Sequence, residues 1–272
     1  MNIYCPVLPE QIERDIRLFS GRTGQYMFIS SASAYQKPPA SPWITEETPL
    51  ENPYWPYSAR KAECERVLRR AQAEARFPVT IVRPSHTYGP RGIPLAFYGK
   101  NTFSVLDRMR AGKTVIVPGD GSTLWTLTHS RDFAVAFVGL MGNPGALGEA
   151  FHITSDESLT WNQIYETVGA ALGVQPNILH IASDTLGAAC TNFVGSLTGD
   201  KSNTVLFDNS KIKRFVPEFH ATIPFAQGAR ECVEYVYAHP ECQLPDPAFD
   251  RWCDELIVRY ESMVMSLPKY SF

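Results

Sequence analysis

The chain has 272 residues, of which 44% are hydrophobic and 19% are charged, a balance typical of globular proteins. Its formal net charge of −3 argues against a nucleic-acid partner, because phosphate binding usually requires a basic excess. No apolar run approaches the ~18 residues of a membrane span, and the N-terminal residues lack the basic-then-apolar order of a signal peptide. We therefore expect a cytoplasmic protein of one large or two small domains.

The cysteine pattern points away from disulfides and metal. The six cysteines are Cys5, Cys64, Cys190, Cys232, Cys242 and Cys253. No two form a C-x-x-C pair, and none joins a histidine at metal-site spacing. We expect free thiols in a reducing compartment and no metal site.

Taken in chain order, the hydrophobic patterns predict alternating helices and strands. They predict a helix over 9–19, a strand over 26–30, a helix over 57–75, a strand over 77–84, a helix over 102–112, a strand and turn over 113–121, a helix over 131–142, a strand over 150–154, a helix over 159–173 and a strand over 177–182. From about residue 183 onward the chain is predicted to be mostly helical, with connections broken by proline. This alternation predicts a parallel α/β sheet, with the later helices forming a second layer or lobe.

Tyr57 and Lys61 open the helix predicted over 57–75. Their four-residue separation places both side chains on one helical face. A tyrosine beside an ammonium group suits proton transfer to or from a carbonyl or alcohol oxygen, because the positive charge favours the phenolate. By itself the pair fits equally well a tyrosine packed on the core beside a solvated lysine, so its context must decide.

Two polar runs follow buried strands, over residues 30–35 and 85–91. Both lie at carboxyl ends of predicted parallel strands, where open α/β folds place their ligands. A serine there could bind the reacting substrate oxygen beside the tyrosine. The alternative for either run is an ordinary turn at the end of a strand.

The segments FISSASAY, YSARK and IVRPSHTYGPR, in this order and spacing, resemble the extended short-chain dehydrogenase/reductases, and more narrowly the NAD-dependent epimerase/dehydratases. GDGSTLWTLTHSRDFA and FHITSDESLTWNQI continue the resemblance over nearly the whole chain. It implies a Rossmann-like doubly wound parallel sheet with a smaller, mostly helical substrate lobe. The expected division is an NAD(P)-binding domain over 1–96 and 126–154, and a substrate lobe over 97–125 and 155–272.

The resemblance also implies roles for individual residues. Ser31 and Tyr57 would be the catalytic serine and the general acid/base, and Lys61 would lower the tyrosine pKa and hold the nicotinamide ribose. The residues expected at the cofactor, NAD or NADP, are Ser30, Tyr57, Lys61, Pro84, Ser85 and His86. The residues expected at a small-molecule substrate are Ser33, His86, Arg91 and Trp125. For His86, a spacer role is an alternative to a catalytic one.

One expected motif of the family is missing. Its members open with strand–GxxGxxG–helix, which sets the pyrophosphate on a helix N-terminus. Gly142, Gly145 and Gly148 have this spacing, but they follow a predicted helix and precede a strand, and Pro144 removes a backbone donor. We therefore expect an N-terminally truncated sheet and doubtful NAD(P) binding by this chain alone.

A second departure concerns the substrate. Nucleotide-sugar members usually carry an arginine after the GDGS turn, and Trp125 stands at that position. Indole cannot form a bidentate contact with phosphate, so this argues against a nucleotide-diphosphate sugar and favours a packing role for Trp125.

Three hypotheses follow. The first is an NAD(P)-dependent epimerase/dehydratase-type oxidoreductase acting on a sugar or a similar hydroxyl or carbonyl substrate. The second is a non-enzymatic remnant without cofactor affinity. The third is an RNA-binding module related to chloroplast stem-loop binding proteins, which the net charge and the lack of a basic, aromatic stripe disfavour. By analogy with the superfamily we also expect a homodimer.

Overall fold

The computed structural model describes residues 2–4 and 6–270, with side chains from residue 6 onward. The strands are β1 (Asn2–Tyr4), β2 (Tyr26–Ile29), β3 (Trp43–Ile44), β4 (Val79–Pro84), β5 (His86–Tyr88), β6 (Thr114–Pro118), β7 (Leu124–Trp125), β8 (Leu127–His129), β9 (Ala150–Ile153), β10 (Leu159–Thr160), β11 (Asn177–Ile181) and β12 (Leu206–Phe207). The α-helices are α1 (Pro9–Phe19), α2 (Pro56–Ala75), α3 (Phe103–Arg110), α4 (Ser130–Leu140), α5 (Trp161–Leu172), α6 (Ser183–Ala189), α7 (Asn192–Ser196), α8 (Ser210–Phe215), α9 (Phe225–Ala238) and α10 (Pro247–Met265). Short 3₁₀ helices cover Ala32–Ala34, Pro144–Ala146 and Pro240–Cys242, and a π-helix covers Leu197–Lys201.

Residues at the helix ends explain where the two longest helices predicted from the sequence begin and end. Pro56 occupies the first turn of α2, where no backbone donor is needed, and Arg76 closes that helix in the left-handed conformation. Thr160 and Gln163 form a reciprocal capping box at the start of α5, and Gly173 ends it with φ +73°. The helices predicted from sequence therefore begin and end within a few residues of the observed bounds.

Four parallel strands form the central sheet in the order β1-β2-β4-β9. Successive side chains point to opposite faces: Tyr26 and Phe28 pack with α1 and α2, whereas Met27 packs with α4 and α8. Because helices cover both faces, most residues of the strands are apolar. The predicted α/β class with a parallel sheet is confirmed. The three-residue strand β1 was not predicted, since so short a run carries no periodicity.

The largest apolar cluster lies outside this sheet and joins the second half of the chain to residues 88–117. It contains buried side chains of α3, α5, α9 and α10, and it includes the parallel pair of β6 and β11. The predominance of helices after residue 183 agrees with the prediction. The proposed domain limits remain a prediction.

The glycine-spaced segment at 142–148 lies between α4 and β9, with a 3₁₀ helix at its centre, as its sequence order indicated. Cys64, Cys190, Cys232, Cys242 and Cys253 are free thiols, and Cys5 lies outside the described residues. In the part of the chain that the structure describes, no helix combines the length and apolarity that a membrane span requires.

Candidate active site

The turn after β2 carries the predicted serines. Ser31 caps the following 3₁₀ helix by accepting a hydrogen bond from the Ser33 backbone, and the Ser31 and Ser33 hydroxyls lie 2.8 Å apart. The hydroxyl of Ser58, from the first turn of α2, lies 2.8 Å from that of Ser33. Ser31 and Ser33 line a cavity, whereas Ser30 points away from it and donates to Glu65 at 2.6 Å.

The entry to α2 brings Tyr57 to the same cavity. Lys61 follows one turn later, but its side chain is fully buried and is not part of the cavity wall. Its ammonium group donates to the carbonyls of Ile29 at 2.7 Å and Pro6 at 2.9 Å. It also lies 5.8 Å from the centre of the Tyr57 ring. Lys61 therefore holds the end of β2 and places a positive charge behind Tyr57.

The end of β4 supplies a second part of the wall, where Pro84, Ser85 and His86 all line the cavity. Ser85 donates to the Thr126 carbonyl at 3.2 Å. Burial, and to a smaller extent the nearby Lys201 ammonium, lowers the pKa of His86 to about 3. His86 is therefore a neutral imidazole near pH 7, able to donate or accept a hydrogen bond but not to act as a cation.

Trp125 and Arg91 have different surroundings. Trp125 is 3% exposed, stacks on Trp161 with ring centres 5.4 Å apart, and presents part of its indole to the cavity. Its indole N–H is buried and has no hydrogen-bond partner among the described residues. Arg91 is exposed and does not line the cavity, so its substrate role stays a prediction that this arrangement does not favour.

The cavity has a volume of about 280 Å³ and brings Ser31, Tyr57 and the Pro84–His86 segment together. Sequence reasoning did not identify several of its wall residues, which are Lys37, Trp55, Tyr98, Asp200 and Lys201. For Asp200 and Lys201 one signal was available. They are adjacent opposite charges that end a stretch with no charged residue after Asp184.

Asn52 links two segments of this cavity that are far apart in sequence. Its side-chain amide donates to the Ser33 carbonyl at 2.7 Å and to the Gly199 carbonyl at 2.6 Å. Ser33 belongs to the serine turn, and Gly199 belongs to the π-helix that carries Asp200 and Lys201. The amide therefore ties the π-helix to the serine turn.

A buried polar network lies behind the serine turn. Arg83 is 2% exposed and donates to both carboxylate oxygens of Glu65, which also accepts from Ser30. Arg83 donates in addition to the Tyr35 hydroxyl at 3.2 Å, and that hydroxyl lies 3.2 Å from His152 Nδ1. Because each charge is paired and hydrogen-bonded, the network holds β2, α2, β4 and β9 in one arrangement.

The described residues of the β1–α1 connection, 6–8, do not form a pyrophosphate cradle. Residues 5–8 contain no glycine, and the Gln11 side chain already accepts hydrogen bonds from the backbone amides of Val7 and Leu8. A phosphate cradle requires such amides to be free. The described residues that could border a nicotinamide are Tyr57 and the Pro84–His86 segment, which share the cavity wall.

Comparison with known proteins identifies the protein family. The model of the NAD dependent epimerase/dehydratase family matches residues 16–154, which is half of the chain, and the chain belongs to this family. The match includes the serine turn, α2 and the end of β4, and it ends immediately after β9.

Individual relatives match parts of the chain. The chain is 28% identical over 157 residues to the chloroplast stem-loop binding protein of 41 kDa b of Arabidopsis thaliana, covering 57% of this chain and 38% of the relative. It is 30% identical over 145 residues to 2'-dehydrokanamycin reductase of Streptomyces kanamyceticus, covering 53% of this chain and 40% of the relative. The matched region thus spans about two-fifths of either curated relative.

The fold agrees with solved structures of the family. The crystal structure of dTDP-glucose 4,6-dehydratase from Bacillus anthracis in complex with NAD superimposes with a TM-score of 0.67 at 21% identity. The superposition covers 85% of this chain and 67% of that one. The Rossmann-like fold of epimerases and dehydratases, expected from the sequence motifs, is therefore confirmed.

Proposed function

We propose that this chain carries the catalytic and sugar-binding part of an NAD(P)-dependent sugar epimerase, dehydratase or reductase. The observation that carries the proposal is the single cavity in which Ser31, Tyr57 and His86 meet. Family membership supports the reaction class, and the sugar-modifying relative 2'-dehydrokanamycin reductase supports a sugar-like substrate.

In this proposal Tyr57 exchanges a proton with a sugar hydroxyl or carbonyl oxygen. A nicotinamide cofactor, when bound, supplies the hydride acceptor or donor. The Ser31 hydroxyl orients the reacting oxygen, because it lies on the rigid turn that Ser33 and Ser58 hold. The Lys61 ammonium, 5.8 Å from the Tyr57 ring centre, favours the phenolate that forms when Tyr57 gives up its proton.

The residues present fit the nicotinamide end of the cofactor only in part. Tyr57, Ser85 and His86 would border the ring from the cavity wall. Lys61 fits less well as a ribose ligand, since its ammonium is engaged by two backbone carbonyls. The pyrophosphate cradle is not among the described residues, so we expect the cofactor to be held weakly by this chain alone.

A second cavity, of about 710 Å³, gives room for a larger substrate. It shares Tyr98 and Lys201 with the first cavity, and Phe193 and Trp252 stack in its wall with their planes 26° apart. Flat aromatic walls suit a nucleobase or another planar group. We propose that the reacting sugar occupies the smaller cavity and the rest of the substrate extends into the larger one.

Replacement of Tyr57 by phenylalanine tests the proposed function. We expect Tyr57→Phe to lower turnover of a sugar substrate by about 100-fold to 10,000-fold, the usual contribution of a general acid/base. Turnover is followed by nicotinamide absorbance for a net reduction or oxidation and by chromatographic separation of the sugar product for an epimerisation or dehydration, and substrate affinity should change little. Tyr54→Phe is the matched control, because Tyr54 is exposed and precedes the same helix. Equal turnover by Tyr57→Phe and wild type would rule out this role for Tyr57.

Assembly and location complete the proposal. Following the superfamily resemblance, we propose a homodimer formed through helices beside α2, which light scattering of the purified chain tests directly. We also propose a cytoplasmic location, which fractionation of the source cells would check.

A further inference from the structure

We propose that the smaller cavity binds an oxyanion of the substrate, a carboxylate or a phosphate, between the ammonium groups of Lys37 and Lys201. This inference rests on the proposed function, since it places the oxyanion beside the reacting part of the substrate.

The cavity wall contains three buried charged side chains. Lys37, Asp200 and Lys201 are 4%, 9% and 9% exposed, and all three line the cavity. The ammonium of Lys37 lies 3.9 Å from the Asp200 carboxylate, at the outer limit of an ion pair. Two lysines therefore share one aspartate, which leaves an excess positive charge in a small enclosed space.

The surroundings of the two ammonium groups also favour an anionic ligand. Among residues 6–270, neither Lys37 nor Lys201 has an acceptor within hydrogen-bond distance of its nitrogen, although the Lys201 nitrogen lies 6.0 Å from the centre of the Trp55 ring. Burial lowers the pKa of both lysines, which is the direction expected for charges removed from water without sufficient partners. A bound oxyanion would supply both the missing charge and the missing acceptors.

Trp125 contributes ring surface to the same wall, while its N–H, which has no hydrogen-bond partner among the described residues, is buried away from the cavity space. The sequence comparison placed Trp125 where the family usually has an arginine. In this chain the positive charge comes instead from Lys201, on the π-helix.

The π-helix over Leu197–Lys201 positions two of these charges, Asp200 and Lys201. π-helices are rare and are often found at functional sites. Here Gly199 allows the close approach, because a Cβ atom at this position would lie 3.1 Å from the Cβ of Tyr54 and 3.2 Å from that of Trp55. Asn52 then joins the Gly199 carbonyl to the serine turn. The oxyanion would therefore lie at a fixed distance from Ser31.

The test is a binding measurement with three matched probes: D-glucose, D-glucuronate and D-glucose 1-phosphate. In calorimetric titrations we expect wild type to prefer one of the acidic probes over glucose by about ten-fold or more, the difference expected for a charge-assisted hydrogen bond. Preference for glucuronate identifies a carboxylate as the ligand, and preference for glucose 1-phosphate identifies a phosphate.

Substitutions of the cavity lysines show whether the preference for an acidic probe arises in the cavity. Lys37→Met and Lys201→Met should each abolish it, whereas Lys269→Met, at an exposed position, should retain it. Asp200→Asn should strengthen binding of the acidic probe, because it removes the competing carboxylate. This opposite sign separates the proposal from simple unfolding, and melting temperatures confirm that each variant is folded.

Equal affinity for acidic and neutral probes, or no measurable affinity for either acidic probe, would overturn the proposal. So would a preference that survives in both lysine variants. These outcomes leave the role of Tyr57 untouched, because its test measures turnover. Conversely, a chain that prefers an acidic probe over glucose but turns over no sugar substrate would contradict the proposed function and leave the oxyanion site standing.

Discussion

The imidazole of His86 is held in its neutral form by burial and by the nearby Lys201 ammonium, which lower its pKa from 6.5 to about 3. In the unfolded chain the same ring accepts a proton near pH 6.5. Acid therefore stabilises the unfolded state relative to the folded one, and His86 costs stability progressively as the pH falls from about 6.5 towards 3. Above this window the ring is neutral in both states and has no such effect.

Replacing His86 by glutamine should therefore reduce the loss of stability in acid. We expect the difference in melting temperature between His86→Gln and wild type to move in favour of the variant as the pH falls below about 6.5. His220→Gln provides the comparison, since His220 is exposed. A difference that stays constant between neutral and acid pH would show that His86 is readily protonated in the folded protein.

At the scale of secondary-structure elements, Asn52 decides how the π-helix sits against the serine turn. Removing its amide leaves the carbonyls of Ser33 and Gly199 without their donor, at a cost of about 1–3 kcal/mol in unfolding free energy. Without these hydrogen bonds the serine turn is no longer joined to the π-helix, and Ser31 is held less precisely. We therefore expect Asn52→Ala to lower kcat by about ten-fold to 100-fold with a smaller change in KM.

Thr160→Ala separates this positioning effect from a general loss of stability. It removes the side-chain cap of α5, which does not line either cavity, and should cost about 1 kcal/mol. Urea denaturation measures both variants, and steady-state kinetics should show reduced kcat for Asn52→Ala alone. If the two variants lose activity in proportion to their stability, Asn52 has no positioning role.

At the scale of the whole molecule, the described residues form a cavity for the reacting group but no site for the pyrophosphate of the cofactor. The serine turn, the start of α2 and the end of β4 together form part of the wall around the reacting group. The described residues contain no free glycine-rich turn at a helix start for the pyrophosphate, and Gln11 occupies the amides that precede α1.

We therefore expect this 272-residue chain to bind NAD(H) more weakly than micromolar when titrated by calorimetry. Titration with NADP(H) under the same conditions controls for the choice of dinucleotide. Micromolar affinity for either dinucleotide would show that the described residues include a working cofactor site, and would contradict the expectation drawn from the missing motif.

The sequence alone determined the fold class and pointed to candidate residues for the reaction. Apolar runs with proline or glycine at their ends located β2, β4, α2 and α5 closely, because helix and strand periods are local properties. Ser31, Tyr57 and the Pro84–His86 segment were found because their motifs are short and continuous. The structure places them around one cavity, and their chemical roles await the experiments above.

Only the tertiary structure decided which distant residues complete the cavity. Lys37, Asn52 and Lys201 belong to no local sequence pattern. Asn52 hydrogen-bonds to carbonyls 19 and 147 positions away in sequence. The two lysines meet the serine turn only because they line the same cavity. Packing also determined where several side chains point, which the sequence motifs did not predict. Lys61 turns towards backbone carbonyls, Ser30 towards Glu65, and Arg91 towards solvent. Burial and hydrogen bonding fix these directions, and neither can be read from spacing along the chain.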